Sequence, residues 1–179
     1  MIYRWRNEPR VRAVMPYDGP VDPEYHRRWW PQALNDPARR MLILEAEGVP
    51  VAIVIFMEIT AASAKWGLYT APEDEISRGR CLRAWIAADF AGMRYAFEIL
   101  GVETLWCEIL YTHSAALRLR ERTGAVRTQL REVAGRPPFV EMKFTRSQYE
   151  ANDWQHPFDG GGEMEIAMDS REARALLVG

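Results

Sequence analysis

Lysine is nearly missing from this 179-residue chain: Lys65 and Lys143 are the only two, and the rest of its basic side chains are arginines. The 23 Lys and Arg stand against 25 Asp and Glu, a net charge of -2. That balance lacks the basic excess that neutralising a phosphate backbone requires, so a nucleic-acid surface is not the expected main function. Cysteine is equally sparse. Cys81 and Cys107 have no metal-ligand spacing and make no disulfide framework, so no metal site is expected and the expected setting is a reducing cytoplasm. No apolar run approaches a membrane-spanning length, the longest, Val49 to Phe56, being that of a strand, and no signal peptide is expected. What is present, 48% hydrophobic residues over one domain's length, is enough for a single core.

Hydrophobic periodicity and turn residues divide the chain. Met1 to Asn7 reads as helix, and Pro9 with Val11, Val14 and Met15 as a second short helical turn ending before Pro16. After the turn-rich Pro16 to Pro23, Glu24 to Asn35 reads as a helix with Pro23 near its first turn. The period then changes, and Met41 to Ala46, Val51 to Ile59 and Ala64 to Thr70 read as strands of an antiparallel meander. From Gly79 to Leu100, the residues Leu82, Ile86, Phe90, Met93, Phe97 and Leu100 recur at three- and four-residue steps, which predicts one long helix capped by Gly101. Strand Thr104 to Tyr111 follows, making a right-handed crossover. His113 to Arg122 is a shorter helix closed by Gly124, and Ala125 to Val133 with Pro138 to Phe144 form a closing hairpin.

Between the strand Ala64 to Thr70 and the long helix lies Ile76-Ser77-Arg78-Gly79-Arg80-Cys81-Leu82. In that place it reads as a loop whose backbone N–H groups face an anion at a helix N-terminus, a phosphate cradle.

The order of these elements and several motifs resemble the GNAT superfamily of acyl-CoA-dependent N-acyltransferases. Trp5-Arg6-Asn7-Glu8-Pro9-Arg10-Val11-Arg12 is similar to the WRNDPxVR signature of one branch. That branch contains ribosomal-protein N-terminal acetyltransferases and amino-sugar acetyltransferases of the pseudaminic-acid type. Trp66-Gly67-Leu68-Tyr69, the cradle, Tyr95-Ala96-Phe97 before Leu100-Gly101, and Ser114-Ala115-Ala116-Leu117 before Thr123-Gly124-Ala125 fall in the family's order, from about Met1 to Tyr149. The resemblance implies an α/β (α+β) fold, a mixed, mostly antiparallel sheet with helices on both faces. It also implies acetyl-CoA inserted where two central strands splay, with its pyrophosphate on the cradle and its pantetheine along the strand ending at Thr70. Leu68, Tyr69, Thr70, Arg78, Gly79, Arg80, Cys81, Leu82 and His113 are then the expected cofactor residues, and Trp5, Arg6, Asn7, Tyr17 and Trp66 the expected acceptor residues. The implied reaction is acetyl transfer to a small-molecule primary amine, foremost the amino group of a nucleotide-linked amino sugar. A protein N-terminus as acceptor and a non-catalytic binding module are the rivals.

Departures from the family pattern bear on the chemistry. The usual cofactor-facing Asn is His113 here, and the Tyr seven residues on that commonly protonates the departing thiolate is Arg120. Arg donates no proton at neutral pH, so Arg120 is left as a charge to stabilise the thiolate, with His113 or Tyr111 as substitute donors. Glu58 and Glu108 are the carboxylates available as a base; strand-surface charge explains each equally well. Tyr17, Trp29, Trp30 and Trp66 suit stacking on a sugar or nucleobase, and core packing explains each equally well.

The end of the chain reads as something displaced. Asp153 to Gly162 is a linker by composition. Met164, Ile166 and Met168 alternate with Glu163, Glu165 and Ala167 as in a half-exposed strand, and Ser170 caps a helix from Arg171 with Ala173, Leu176 and Leu177 apolar. Family chains begin with such a strand and helix, directly before the signature with which this chain opens. The expectation is a circular permutation: a core over 1–151, a linker over 152–162, and a strand and helix over 163–179. That last segment completes the same domain or, in a homodimer, swaps to the partner.

Overall fold

The computed structural model describes residues 1–151 and the strand Ile166–Met168. Two short helices, α1 (Ile2–Asn7) and α2 (Pro9–Arg12), are separated at Glu8, because Pro9 has no amide hydrogen to continue the ladder. α3 (Pro23–Asn35) starts on Asp22, whose carboxylate accepts from the Tyr25 N–H at 2.7 Å. Next come β1 (Arg40–Ala46), β2 (Val49–Met57) and β3 (Ser63–Thr70), then α4 (Arg78–Arg94) with a π-helical turn, Tyr95–Ile99. β4 (Thr104–Leu110), α5 (Ser114–Arg122), β5 (Val126–Val133), β6 (Arg136–Thr145), α6 (Arg146–Ala151) and β7 (Ile166–Met168) complete the described chain.

The strands form one sheet in the order β5-β6-β4-β3-β2-β1-β7, antiparallel at every step except β3–β4. This is the mixed, mostly antiparallel sheet that the sequence implies. Trp66 and Tyr69, three residues apart on β3, point to opposite faces. Trp66 lies under α4, where a Cβ on Gly92 would come within 2.4 Å of the indole. Tyr69 faces the side of α1, near the Arg6 charge. Helices therefore cover both faces, and Trp5, Phe56, Phe97 and Phe139 are wholly buried.

The long helix departs from expectation in two ways. It ends as α-helix at Arg94, and the wider turn after it seats Tyr95 on Phe56 (ring centroids 5.6 Å) and Phe97 on Phe144 (5.6 Å) and Tyr149 (5.0 Å). Its buried stripe is Cys81, Ala84, Ala88 and Gly92, while Leu82, expected inward, is 57% exposed. α6 is an addition that the sequence reading lacks. At the far edge β7 pairs antiparallel with β1, Ile43 opposite Met168 and Leu44 opposite Ile166. The expected linker 152–162, the Ser170 cap and the helix from Arg171 lie outside the described residues. No helix among the described residues is long and apolar enough to cross a membrane.

Candidate active site

β3 and β4 pair through three steps only: Ser63↔Thr104, Ala64↔Leu105 and Lys65↔Trp106. β3 then stays on β2 as far as Thr70, and β4 stays on β6 as far as Leu110. From Trp66 and Cys107 onward the two facing edges therefore part into a V. Ala71 N–H donates to Val51 O at 2.8 Å, so strand alternation turns the backbone groups of Leu68 and Thr70 toward the V. The Thr70 carbonyl there accepts from Arg10 Nη2 at 3.3 Å. Leu68 and Thr70 are thus placed to pair with an extended ligand. Tyr69 turns its backbone the other way and buries its ring, which pushes the phenol pKa up.

At the open end of β3 the chain enters α4. Ser77, the N-cap residue, makes no side-chain capping bond, and the first amide to close a helical turn is that of Cys81, onto Ser77 O at 2.9 Å. The N–H groups of the first turn point outward. A Cβ on Gly79 would meet nothing within 4 Å, and Arg78, Gly79, Arg80 and Leu82 are all exposed. Arg80 ion-pairs with Glu47 at 2.9 Å, whereas Arg78 has no ion-pair partner among the described residues. An open turn of amides flanked by two guanidinium groups fits a pyrophosphate. Cys81 is a correction: its thiol is buried, 3.6 Å from Ala71 O and 3.7 Å from Ile76 O, so it fastens the loop from behind.

The residues expected to manage protons are divided. Tyr111 and His113 follow β4 at the open end of the V. Tyr111 is exposed, and its N–H donates to Pro138 O at 2.9 Å. His113 precedes α5 with its ring stacked on Trp85 of α4, 6.3 Å between centroids, and burial lowers its pKa, leaving the imidazole neutral at pH 7. Arg120 turns inward. It is buried against Asp89, with its guanidinium carbon 3.7 Å from the Trp66 ring centroid. Burial holds the Asp89 carboxyl up at about 6 even though Arg120 pulls it down. A guanidinium already matched by a buried carboxylate brings no free charge to a thiolate, which corrects the role expected of Arg120.

Neither carboxylate forms a base in the V. Glu58 is exposed on the turn beyond the pair Met57↔Lys65, at the closed end of the β3–β4 ladder, and is not brought to the other residues. Glu108 is held between Lys65 and Arg131. Burial alone would raise its pKa, but hydrogen bonds from these two cations hold it below the usual carboxylate range.

Two expected acceptor residues belong to the core. Trp5 is wholly buried and donates its indole N–H to Glu75 Oε2 at 2.9 Å, and Trp66 is sandwiched between Phe56 and Arg120. Asn7 pins the following loop, accepting from Val21 N–H at 2.7 Å and donating to Tyr3 O at 3.0 Å. Arg6 and the exposed Tyr17 remain near the V, with Arg6 Nη2 on Tyr17 O at 3.0 Å. Trp30 stacks on His26 and lines an open groove of about 660 Å³ between α1 and α3, which shares no residue with the cradle or the V. Sequence reasoning missed Arg10, which stands in the signature itself and holds Thr70 at the edge of the V.

No protein-family model matches the chain. Over 122 residues it is 29% identical to the acetyltransferase PseH of Campylobacter jejuni, covering 68% of this chain and 73% of that protein. The structure of the Campylobacter jejuni N-acetyltransferase PseH in complex with acetyl coenzyme A superposes with a TM-score of 0.61 at 20% identity, over 82% of this chain and 88% of that one. The spermidine N-acetyltransferase of Vibrio cholerae, in complex with CoA and spermine, superposes with a TM-score of 0.72 at 18% identity, over 83% and 90%. The chain thus has the fold of GNAT N-acetyltransferases, and its sequence is similar to that of one acetyltransferase with this fold.

Proposed function

We propose that the chain transfers the acetyl group of acetyl-CoA to a primary amine, the amino group of a nucleotide-linked amino sugar. The observation that carries this reading is the continuity of the β3 edge at Leu68 and Thr70 with the uncapped first turn of α4 at Gly79. Similarity to the acetyltransferase PseH supports acetyl transfer, and the resemblance carried by the opening signature supports the acceptor class. Acetyl-CoA supplies the activated acyl group: the amine nitrogen forms the new C–N bond as the C–S bond breaks, and the amine's proton balances the thiolate.

The chain's own residues hold and orient. Arg78, Gly79 and Arg80 present donors to the pyrophosphate, while Leu68 and Thr70 align the pantetheine amides by strand-like pairing. Glu108, locked to Lys65 and Arg131, accepts no proton at neutral pH, so the ammonium loses its proton to solvent at the open mouth. Tyr111 is the group at that mouth able to hand a proton to the thiolate, while the neutral His113 imidazole can only donate a hydrogen bond to it.

Calorimetry with acetyl-CoA, followed by an assay for released CoA thiol, tests the reading. Binding with turnover on nucleotide-linked amino sugars, and less on peptides and polyamines, is expected. Binding without turnover on any amine would reduce the chain to a ligand-holding module, and no binding would reject the reading outright.

A further inference from the structure

Three arginines converge on the connection from Arg12 to Asp18, beside the V. Arg6 Nη2 donates to Tyr17 O at 3.0 Å, and Arg136 Nη2 donates to Ala13 O at 2.7 Å. Arg12 begins the same connection and lies close enough for its charge to act on Arg6. Each of the three carries a buried nitrogen without a hydrogen-bond partner: Arg6 Nη1, Arg12 Nε and Arg136 Nη1. Buried N–H groups of charged side chains are rarely left unbonded, because each loses its hydration without return. The counter-charge to Arg136 is the Asp18 carboxylate, 3.2 Å from Nη1 and itself largely exposed; one carboxylate does not balance three guanidinium groups.

Their position is tied to the proposed chemistry. Arg6 of α1 reaches toward Tyr69 and Arg10 of α2 holds Thr70, both at the open end of β3. Arg136 begins β6, which pairs with the open end of β4 at Leu110↔Phe139. The arginines thus flank the mouth of the V, on the face opposite α4. We infer that Arg6, Arg12 and Arg136 form an anion site for the diphosphate of the acceptor, so that the acceptor is a nucleoside diphosphate conjugate rather than a polycation. Clustered guanidinium groups, each with an unbonded N–H, suit phosphate oxygens, whereas a polyamine meets like charge there. This inference rests on the acetyl-transfer reading for the identity of the neighbouring V.

The test is calorimetry on protein first saturated with CoA, which fills the cradle, using uridine diphosphate as the probe and spermine as its opposite. Uridine diphosphate is expected to bind, and Arg136→Gln and Arg12→Gln are each expected to weaken it by about tenfold or more, the weight of one charge-assisted hydrogen bond. Acetyl-CoA affinity should stay within about twofold of wild type in both, and Arg136→Lys should recover part of the loss by keeping the charge without the fork. The inference is overturned if spermine binds the CoA-loaded protein more tightly than uridine diphosphate. It is equally overturned if both Gln variants, with acetyl-CoA binding intact, hold uridine diphosphate like wild type. A wild-type protein that takes uridine diphosphate but not acetyl-CoA would instead overturn the transfer reading and leave the anion site standing.

Discussion

Arg120 shows how one residue's surroundings decide its chemistry. At its place in the sequence it reads as a substitute for a catalytic tyrosine, because spacing alone carries the role. The structure surrounds it with Asp89 and Trp66 under α4, and the pair becomes part of the core. Asp89 is wholly buried and its carboxyl is raised to about 6, above the roughly 3.9 of an unfolded chain. With the folded value above the unfolded one, the stability this group contributes is full below about pH 4 and is lost as pH rises through 6. Removing Arg120 takes away the attraction that holds the Asp89 value down, so that window moves to higher pH. Arg120→Met is therefore expected to cost about 3–5 kcal/mol at pH 8, where it leaves a buried carboxylate alone, and distinctly less at pH 5. Asp89→Asn combined with Arg120→Met should restore much of the loss. Denaturant unfolding at the two pH values checks both, and a cost independent of pH would mean that the pair is not electrostatically coupled. Acetyl-CoA affinity in Arg120→Met should match wild type, since the guanidinium is buried against Asp89 and Trp66.

The helix α4 sets the limit of what was legible in the sequence. Its place in the crossover and its exposed first turn were readable, because a Gly-containing segment between strand and helix has few other uses. Its inward face was legible only toward its end, where Met93 and Phe97 are buried as expected. Leu82, Ile86 and Phe90 recur at helical spacing and dominate any hydrophobic count, yet Cys81, Ala84, Ala88 and Gly92 form the buried stripe. Small residues let the helix approach the sheet, so close packing selects what a periodicity argument weighs least. Two glycines on this helix should accordingly behave oppositely. At Gly92 a Cβ would lie 2.4 Å from Trp66 and 3.1 Å from Val54, with the indole pinned by Phe56 and Arg120. Gly92→Ala should destabilise the protein: overpacking costs about 1–3 kcal/mol, and helix propensity returns up to about 1. Gly79, with nothing within 4 Å, should accept Glu with little change in melting. There the readout is binding: Gly79→Glu puts a carboxylate where the pyrophosphate is proposed to sit and should weaken acetyl-CoA at least about tenfold. Unchanged affinity would place the cradle elsewhere.

At the scale of the whole molecule, the unusual feature is the order in which the sheet is assembled. β1 lies between β2 and β7, and β7 comes from the far end of the sequence. The resemblance to the GNAT superfamily leads one to expect a strand of this kind ahead of the Trp5 signature, and β7 takes the edge beside β1. We propose that the chain is circularly permuted, its first strand written last. The intervening chain is long enough for a return within one molecule: β6 to β7 is five strand spacings, about 24 Å. Residues 152–165, fourteen in number, reach at most about 50 Å. Deleting 152–179 should strip β1 of its outer partner, exposing the edge of a strand whose Met41, Leu42, Ile43 and Leu44 side chains are buried. An uncovered apolar edge invites pairing between molecules. The shortened chain should therefore melt several degrees lower and associate in light scattering. Placing 163–179 ahead of Met1 in a chain that ends at Ala151 should restore both melting and acetyl-CoA affinity, because the strand then enters the same edge from the other side. Light scattering on the full chain separates closure on itself, a monomer, from exchange with a partner, a dimer that the reordered chain should convert to monomer. A shortened chain that melts like the full one, or a reordered chain that stays destabilised, would show that β7 is an appendage and not the missing first strand.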